Sequence, residues 1–164
     1  YILDAVQKLP KLPDSVLLRD YSEINVKAGQ QMIQERGLEH IAQFVQADAF
    51  DTQSIASIDP RPTLGVVSGL YELFSDNDLL RRSLNGLSQA IEKNGYLIYT
   101  GQIWHPQQEF IARALTSHRE GDAWVMRLRS QAEMDALVEA AGFKKVDQNI
   151  DDFGIFTVSV AQKL

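Results

Sequence analysis

Two short apolar strands, each followed by an aspartate, constrain the fold of this chain more than any other feature. The first predicted strand covers residues 16–20 and ends in Asp20, and the second covers 41–46 and lies just before Asp48. A helical stretch over 23–36 separates them, as in a parallel sheet, where ligands bind beyond the carboxyl ends of the strands. Carboxylates there can accept hydrogen bonds from a ribose diol and from an adenine amino group. The pair therefore indicates a nucleoside-bearing cofactor, and the alternative is that both aspartates only cap the helices that follow.

Composition excludes several classes of function. The net charge of −6 argues against broad contact with a nucleic-acid backbone, so no nucleic acid is expected as a partner. The chain has no cysteine, which excludes disulfides, thiolate zinc sites and a cysteine nucleophile. The three histidines, His40, His105 and His118, are too dispersed to suggest a metal site. No apolar run approaches the roughly 20 residues of a membrane span, and no signal peptide is recognised, so we expect a cytoplasmic protein.

The rest of the chain continues the alternation of strands and helices. A capping pattern at Ser130 and Glu133 precedes a predicted helix, and a tight turn around Asp151 and Asp152 predicts an antiparallel final hairpin. This order predicts an α/β fold whose sheet is mostly parallel, with a C-terminal antiparallel hairpin. The further predicted strands cover 63–68, 95–101, 143–150 and 153–162, and the further helices cover 78–93 and 131–141.

Several segments resemble the class I S-adenosylmethionine-dependent methyltransferases. The run SQAEMDALVEAAGFKKV at 130–146 is similar to the helix, A-G-F and strand that precede the final hairpin of that family, and NGYLIYT at 94–100 is similar to its fifth strand. More narrowly, SGLYELF at 68–74 and WHP at 104–106 are similar to a group of bacterial methyltransferases, some fused to an α/β-hydrolase domain. The resemblance implies a Rossmann-like three-layer sandwich and S-adenosylmethionine as the cofactor.

The resemblance also implies roles for individual residues. It gives the ribose hydroxyls to Asp20 and the adenine amino group to Asp48. It places Tyr21 along the ribose and adenine, the backbone of Ala49 near the adenine, and Phe50 as a stacking face. The residues that it places beside the methionine part and the substrate are Ser68, Gly69 and Leu70.

One family element is missing from the sequence. The glycine-rich turn after the first strand of the family, which holds the methionine part of the cofactor, has no counterpart here. We therefore expect residues 1–164 to be a single methyltransferase-like domain that lacks its first strand and glycine turn. We expect an adjoining upstream segment, or a second chain, to supply that strand and the glycine turn at its carboxyl end. In the family, that strand lies between the strands that end at Asp20 and Ser68, so these two are not expected to pair directly.

The residues offer only modest catalytic candidates. Glu72 can deprotonate a nucleophile or hold a substrate amine, and His105 follows a strand end and can act as a base. Arg127 and Arg129 can bind an anionic substrate, although a solvated face is the simpler interpretation. Methyl transfer from a sulfonium needs little acid–base chemistry, so catalytic residues do not identify the methyl acceptor. We expect a small molecule or a lipid-like molecule as that acceptor.

Two other classes of function stay open. An acidic strand end also suits the ribose of a nicotinamide cofactor, which predicts an oxidoreductase, although the final antiparallel hairpin argues against that class. The missing glycine turn is also compatible with a Rossmann-like interaction domain without catalysis.

Overall fold

A computed structural model describes residues 2–117, 121 and 123–164 of the chain. The chain forms two compact units, residues 1–51 and residues 52–164. His118 lies outside the described residues. No helix in the described ranges is long and apolar enough to cross a membrane.

The first unit holds two parallel strands and two helices. Its elements are α1 (Ile2–Gln7), β1 (Val16–Asp20), α2 (Glu23–Glu35) and β2 (Ala42–Gln46). The strands pair in parallel from Val16 opposite Ala42 to Asp20 opposite Gln46, as the strand–helix–strand order predicts.

The core of the first unit depends on close packing between α2 and β2. A Cβ atom on Gly29 would lie 2.0 Å from the Phe44 ring, so only glycine lets this helix approach the strand so closely. Ser22 caps the start of α2 by accepting a hydrogen bond from the Asn25 N–H. The buried core residues are Leu3, Ile33, Leu38 and Ala42.

The second unit is built on a four-stranded sheet. Its strands are β3 (Leu64–Val67), β4 (Tyr96–Gln102), β5 (Phe143–Ile150) and β6 (Phe156–Lys163), in the order β3-β4-β6-β5. β3 and β4 are parallel, and β6 is antiparallel to both of its neighbours. The predicted α/β class and the antiparallel final hairpin are therefore confirmed. Its helices are α3 (Thr52–Ala56), α4 (Asn77–Ala90), α5 (Gln108–Ala114) and α6 (Gln131–Ala140), with a 3₁₀ turn at Tyr71–Leu73.

The core of the second unit lies between this sheet and helices α4 and α6. Leu80 and Leu84 of α4, Leu97 and Tyr99 of β4, and Val138 of α6 are all fully buried. Such a continuous apolar core is the main stabilising contribution in a unit of this size.

The final hairpin differs from its prediction in one detail. The second strand begins at Phe156 rather than at residue 153, so the connection is a wider loop than the predicted turn around Asp151 and Asp152. The Asp151 carboxylate accepts hydrogen bonds from the N–H groups of Ile155 and Phe156, at 2.7 and 3.0 Å, and so closes the longer loop. This side chain takes over part of the hydrogen bonding that a two-residue turn would give through the backbone.

The outer edges of β1 and β3 have no strand partner among the described residues. In the sheets formed by the described residues, β1 pairs with β2 and β3 pairs with β4. Because the N–H of Val16 donates to the carbonyl of Ile41, just before β2, the alternating pleat turns the polar backbone groups of Leu17 and Arg19 to the other edge. Edges of this kind expose N–H and C=O groups that can pair with a further strand.

Candidate functional site

Asp20 lies at the carboxyl end of β1 and organises the turn into α2. One carboxylate oxygen accepts the N–H of Ser22 at 2.7 Å, and the other accepts the Asn25 side-chain amide at 3.2 Å. A carboxylate has about four acceptor positions, so each oxygen can accept one further hydrogen bond. Asp20 therefore has the local role that its position beside a helix start predicts, and it keeps the capacity to hold a diol.

Asp48 lies beside the same strand ends. The backbone N–H of Ala47 donates to the Asp20 carbonyl at 2.9 Å, which ties the segment after β2 to the end of β1. The Asp48 side chain is exposed, and one oxygen accepts the Phe50 N–H at 2.8 Å. Within the described part of the chain, the other oxygen accepts no hydrogen bond. The first unit thus brings Asp20 and Asp48 to one end of its two strands, and we call these residues the aspartate pair.

The two predicted aromatic contacts differ in their exposure. Tyr21 is 76% exposed, and its backbone carbonyl accepts the side-chain amide of Gln46. Phe50 is only 7% exposed, so its ring belongs to the packed interior rather than to an open stacking surface. Ala49 between Asp48 and Phe50 is half-buried.

In the second unit, the segment after β3 turns sharply at Gly69. Ser68 is exposed and Leu70 is half-buried. Gly69 has a φ of +67°, and no atom lies within 4 Å of a Cβ built on it, so the backbone faces open space there. Its N–H donates to the Thr100 hydroxyl at 2.9 Å. The segment therefore presents bare backbone at the carboxyl end of β3, where a ligand can approach closely.

An open cavity of about 300 Å³ adjoins this turn, and we call it the β3–β4 cavity. Both catalytic candidates from the sequence, Glu72 and His105, line it. Gly69 and Gln102 supply its other polar lining. The apolar walls are formed by Leu73, Ile111, Leu115, Trp124, Met126 and Phe156. Ligand sites commonly combine mostly apolar walls with a few polar groups in this way.

Glu72 is the most unusual side chain of the described residues. It is 7% exposed, and its Oε2 atom is buried without a hydrogen-bond partner. Burial raises the pKa of its carboxyl, while its own backbone N–H and the charge of Arg129 act in the opposite direction. A buried carboxylate with an unused oxygen and a raised pKa is well suited to accept a proton.

Arg129 holds the segment that carries Glu72. The guanidinium, 3% exposed, donates to the carbonyls of Tyr71 and Phe74 at 2.8 and 2.7 Å, and to the side chain of Asn77 at 2.7 Å. The interpretation of Arg129 as part of a solvated face is therefore wrong, because its side chain is buried. Burial lowers its pKa, and the like charge of Arg127 adds to that effect. Sequence reasoning missed this role, because its partners lie more than fifty positions away and share no local pattern.

His105 is half-buried beside the same cavity. Its Nδ1 atom accepts the Gln107 N–H at 3.1 Å, which assigns the proton to Nε2 in the neutral ring. Neighbouring Trp104 is 53% exposed and lies outside the cavity lining, where Trp124 provides the indole instead. The predicted catalytic candidates thus share one cavity, in the second unit.

Comparison with known proteins assigns the chain to a family. The model of a family described as "Putative methyltransferase" matches residues 1–163. An Escherichia coli (strain K12) protein described as "Uncharacterized protein YnbC" is 57% identical over 161 residues. That match covers 98% of this chain but 27% of the relative, so the chain spans about a quarter of the length of the relative.

Solved structures show the same fold at low identity. An O-methyltransferase family protein from Burkholderia thailandensis superposes with a TM-score of 0.75 at 13% identity, covering 99% of this chain and 47% of that one. A SAM-dependent methyltransferase from Methanosarcina mazei superposes with a TM-score of 0.68 at 17% identity, covering 92% and 82% of the two chains. The α/β fold predicted from the sequence is the fold of these proteins, and the chain belongs to the methyltransferase family whose model spans residues 1–163.

Proposed function

We propose that the chain forms part of an enzyme that transfers a methyl group from S-adenosylmethionine to a small acceptor. The observation that carries this proposal is the aspartate pair, two carboxylates at the ends of adjacent parallel strands in a chain of a methyltransferase family. S-adenosylmethionine, when bound, supplies an electrophilic methyl group on a sulfonium. The residues described below bind, orient and exchange protons around that chemistry.

The donor and acceptor groups of the chain suit a nucleoside. Asp20 has acceptor capacity left for two ribose hydroxyls, because its hydrogen bonds to Ser22 and Asn25 occupy one position on each oxygen. The second oxygen of Asp48 can accept the adenine amino group, and the exposed Tyr21 ring can lie along the sugar. We assign no stacking role to Phe50, since its ring is buried.

In the second unit, Ser68, Gly69 and Leu70 are the residues that we assign to the methionine part and the substrate. The left-handed Gly69 supports this assignment, because a Cβ atom is absent where its backbone faces open space. We further propose that an upstream segment supplies the first strand and the glycine-rich turn of a single methyltransferase-like domain. The outer edges of β1 and β3, which no strand of the described residues covers, support this part of the proposal.

Calorimetry with S-adenosylhomocysteine tests the cofactor assignment in a polypeptide that includes residues upstream of residue 1. We expect Asp20→Ala to lose about 2–4 kcal/mol of affinity, the scale of truncating a buried charged hydrogen-bonding group. Asp48→Asn should lose less, because an amide oxygen can still accept. Asn25→Ala is the matched control, since it removes a hydrogen bond from the same turn but leaves the carboxylate.

Two results would contradict the assignment. If Asp20→Ala binds S-adenosylhomocysteine as tightly as the parent, Asp20 does not hold the ribose. If the parent binds NAD and not S-adenosylhomocysteine, the chain is an oxidoreductase rather than a methyltransferase.

A further inference from the structure

We propose that the β3–β4 cavity binds the methyl acceptor, and that this acceptor is an uncharged, ring-sized apolar molecule whose reacting hydroxyl or amine donates a hydrogen bond to Glu72. This inference rests on the proposed methyltransferase function and adds the chemical class of the acceptor. It is carried by the chemistry of the cavity lining and by the unpartnered oxygen of Glu72.

The walls of the cavity set the size and polarity of the acceptor. A volume of about 300 Å³ lies at the small end of ligand pockets, which fits one or two fused rings. Trp124 and Phe156 provide aromatic surface, and Leu73, Leu115 and Met126 provide aliphatic and thioether surface. A flat apolar body gains most from such walls, because burial of apolar area drives its binding.

The charge of the cavity excludes acidic acceptors. Among the described residues that form the lining, Glu72 is the one carboxylate, and none is a lysine or an arginine. The guanidinium of Arg129 is already engaged by two carbonyls and the Asn77 side chain. A carboxylate or phosphate on the ligand would therefore meet the negative charge of Glu72, and no lysine or arginine of the described lining would bind it, which disfavours binding.

The unpartnered Oε2 atom of Glu72 specifies a donor on the acceptor. A hydroxyl or amine proton placed there satisfies the oxygen, and a ligand that lacks such a proton leaves it buried and unpaired. The exocyclic donor of a ring is also the atom that becomes methylated.

Glu72 takes up the proton that the acceptor loses during methyl transfer. As the acceptor heteroatom forms its bond to the methyl carbon, the carbon–sulfur bond breaks and its electron pair stays on sulfur. The proton of the heteroatom passes to Glu72 Oε2 and then leaves to solvent. Arg129 is a positioning residue in this scheme, because it fixes the turn that carries Glu72 and does not line the β3–β4 cavity.

Three naphthalene probes of matched shape test the proposal: 2-naphthol, 2-naphthylamine and 2-naphthoate. Binding to the polypeptide with its upstream residues is followed by calorimetry, with and without S-adenosylhomocysteine. We expect 2-naphthol or 2-naphthylamine to bind at least about tenfold more tightly than 2-naphthoate, a difference of about 1.4 kcal/mol. The two neutral probes distinguish a hydroxyl acceptor from an amine acceptor.

Substitution at Glu72 tests the origin of that preference. In Glu72→Gln the charge is lost, and the preference against 2-naphthoate should fall to about threefold or less. Glu92→Gln makes the same exchange at an exposed position outside the cavity and should leave the preference unchanged.

The inference is overturned if 2-naphthoate binds the parent as tightly as the neutral probes, if no probe binds, or if Glu72→Gln leaves the preference intact. Binding of S-adenosylhomocysteine in those cases leaves the proposed methyltransferase function standing. Glu72-dependent binding of the neutral probes without any binding of S-adenosylhomocysteine supports the cavity and contradicts the methyltransferase function.

Discussion

Replacement of Glu72 by methionine tests whether its buried carboxylate costs the fold free energy. The side chain is 7% exposed and its Oε2 atom has no partner, and a buried polar group in that state costs about 1–3 kcal/mol. Methionine has a similar length and no polar hydrogen-bonding requirement. The variant also removes the negative charge near Arg129, which offsets part of the gain. We expect Glu72→Met to raise the free energy of unfolding at pH 7 by about 1–2 kcal/mol.

The pH dependence of this difference identifies its cause. Burial raises the folded-state pKa of Glu72 above its unfolded value, so folding favours the protonated form. The stability that this group contributes is fully present below the unfolded pKa and is lost as the pH rises through the folded pKa. The advantage of Glu72→Met should therefore be greatest at neutral pH and shrink toward about pH 4, the ordinary range of a glutamate.

Urea denaturation at several pH values measures the difference, and thermal unfolding at pH 7 should show a rise in Tm of about 2–8 °C. Glu92→Met, at an exposed position, is the control and should change stability by no more than about 0.5 kcal/mol at any pH. A Glu72→Met variant that is less stable than the parent at pH 7, or a difference that does not vary with pH, would show that the fold already satisfies this carboxylate.

Two further predictions concern the second unit and the edge of β1. Arg129→Lys should lose about 2–4 kcal/mol of unfolding free energy in urea denaturation, because one ammonium cannot reach the three acceptors that the guanidinium holds. The control is Arg127→Lys, at a side chain that is 40% exposed, which should lose about 1 kcal/mol. Equal losses would contradict the positioning role. Hydrogen exchange in a polypeptide with upstream residues should protect the amides of Leu17 and Arg19 as strongly as that of Leu18, since a further strand pairs with their edge. Fast exchange at Leu17 and Arg19 beside a protected Leu18 would leave that edge without a strand.

The bounds of helices and strands were predictable where local signals agree. The capping pair Ser130 and Glu133 and the positive φ of Gly142 bound α6, and β5 begins and ends where the sequence predicts. Helix α4 ends earlier than predicted, since Ile91 lies on the apolar stripe but adopts an extended ψ of 137°. Periodicity assigns such a residue to the helix, because a buried side chain looks the same at a helix end and just beyond it.

The candidate site was predictable only in part. Strand order was enough to place Asp20 and Asp48 at one end of adjacent strands, as the register shows. The unpartnered oxygen of Glu72 and the hydrogen bonds of Arg129 depend on tertiary contacts, such as the one that joins Arg129 to the Tyr71 carbonyl across 58 positions. No local pattern encodes contacts of that range, and the arginine therefore looked like a surface residue.

We expect the carboxylates of the two units to contribute to stability with opposite signs, and this contrast separates binding from chemistry. Asp20 and Asp48 accept backbone N–H groups of their own turns, so their loss should weaken both the fold and the cofactor affinity. The Oε2 atom of Glu72 accepts no hydrogen bond from the described residues, so replacement of Glu72 should strengthen the fold and remove a proton acceptor. A residue that lowers stability is retained where an activity needs it, as active sites commonly trade stability for function. Replacement of Glu72 should thus raise stability and lower activity, whereas replacement of Asp20 should lower both. That contrast would identify Glu72 as a group that acts on the acceptor.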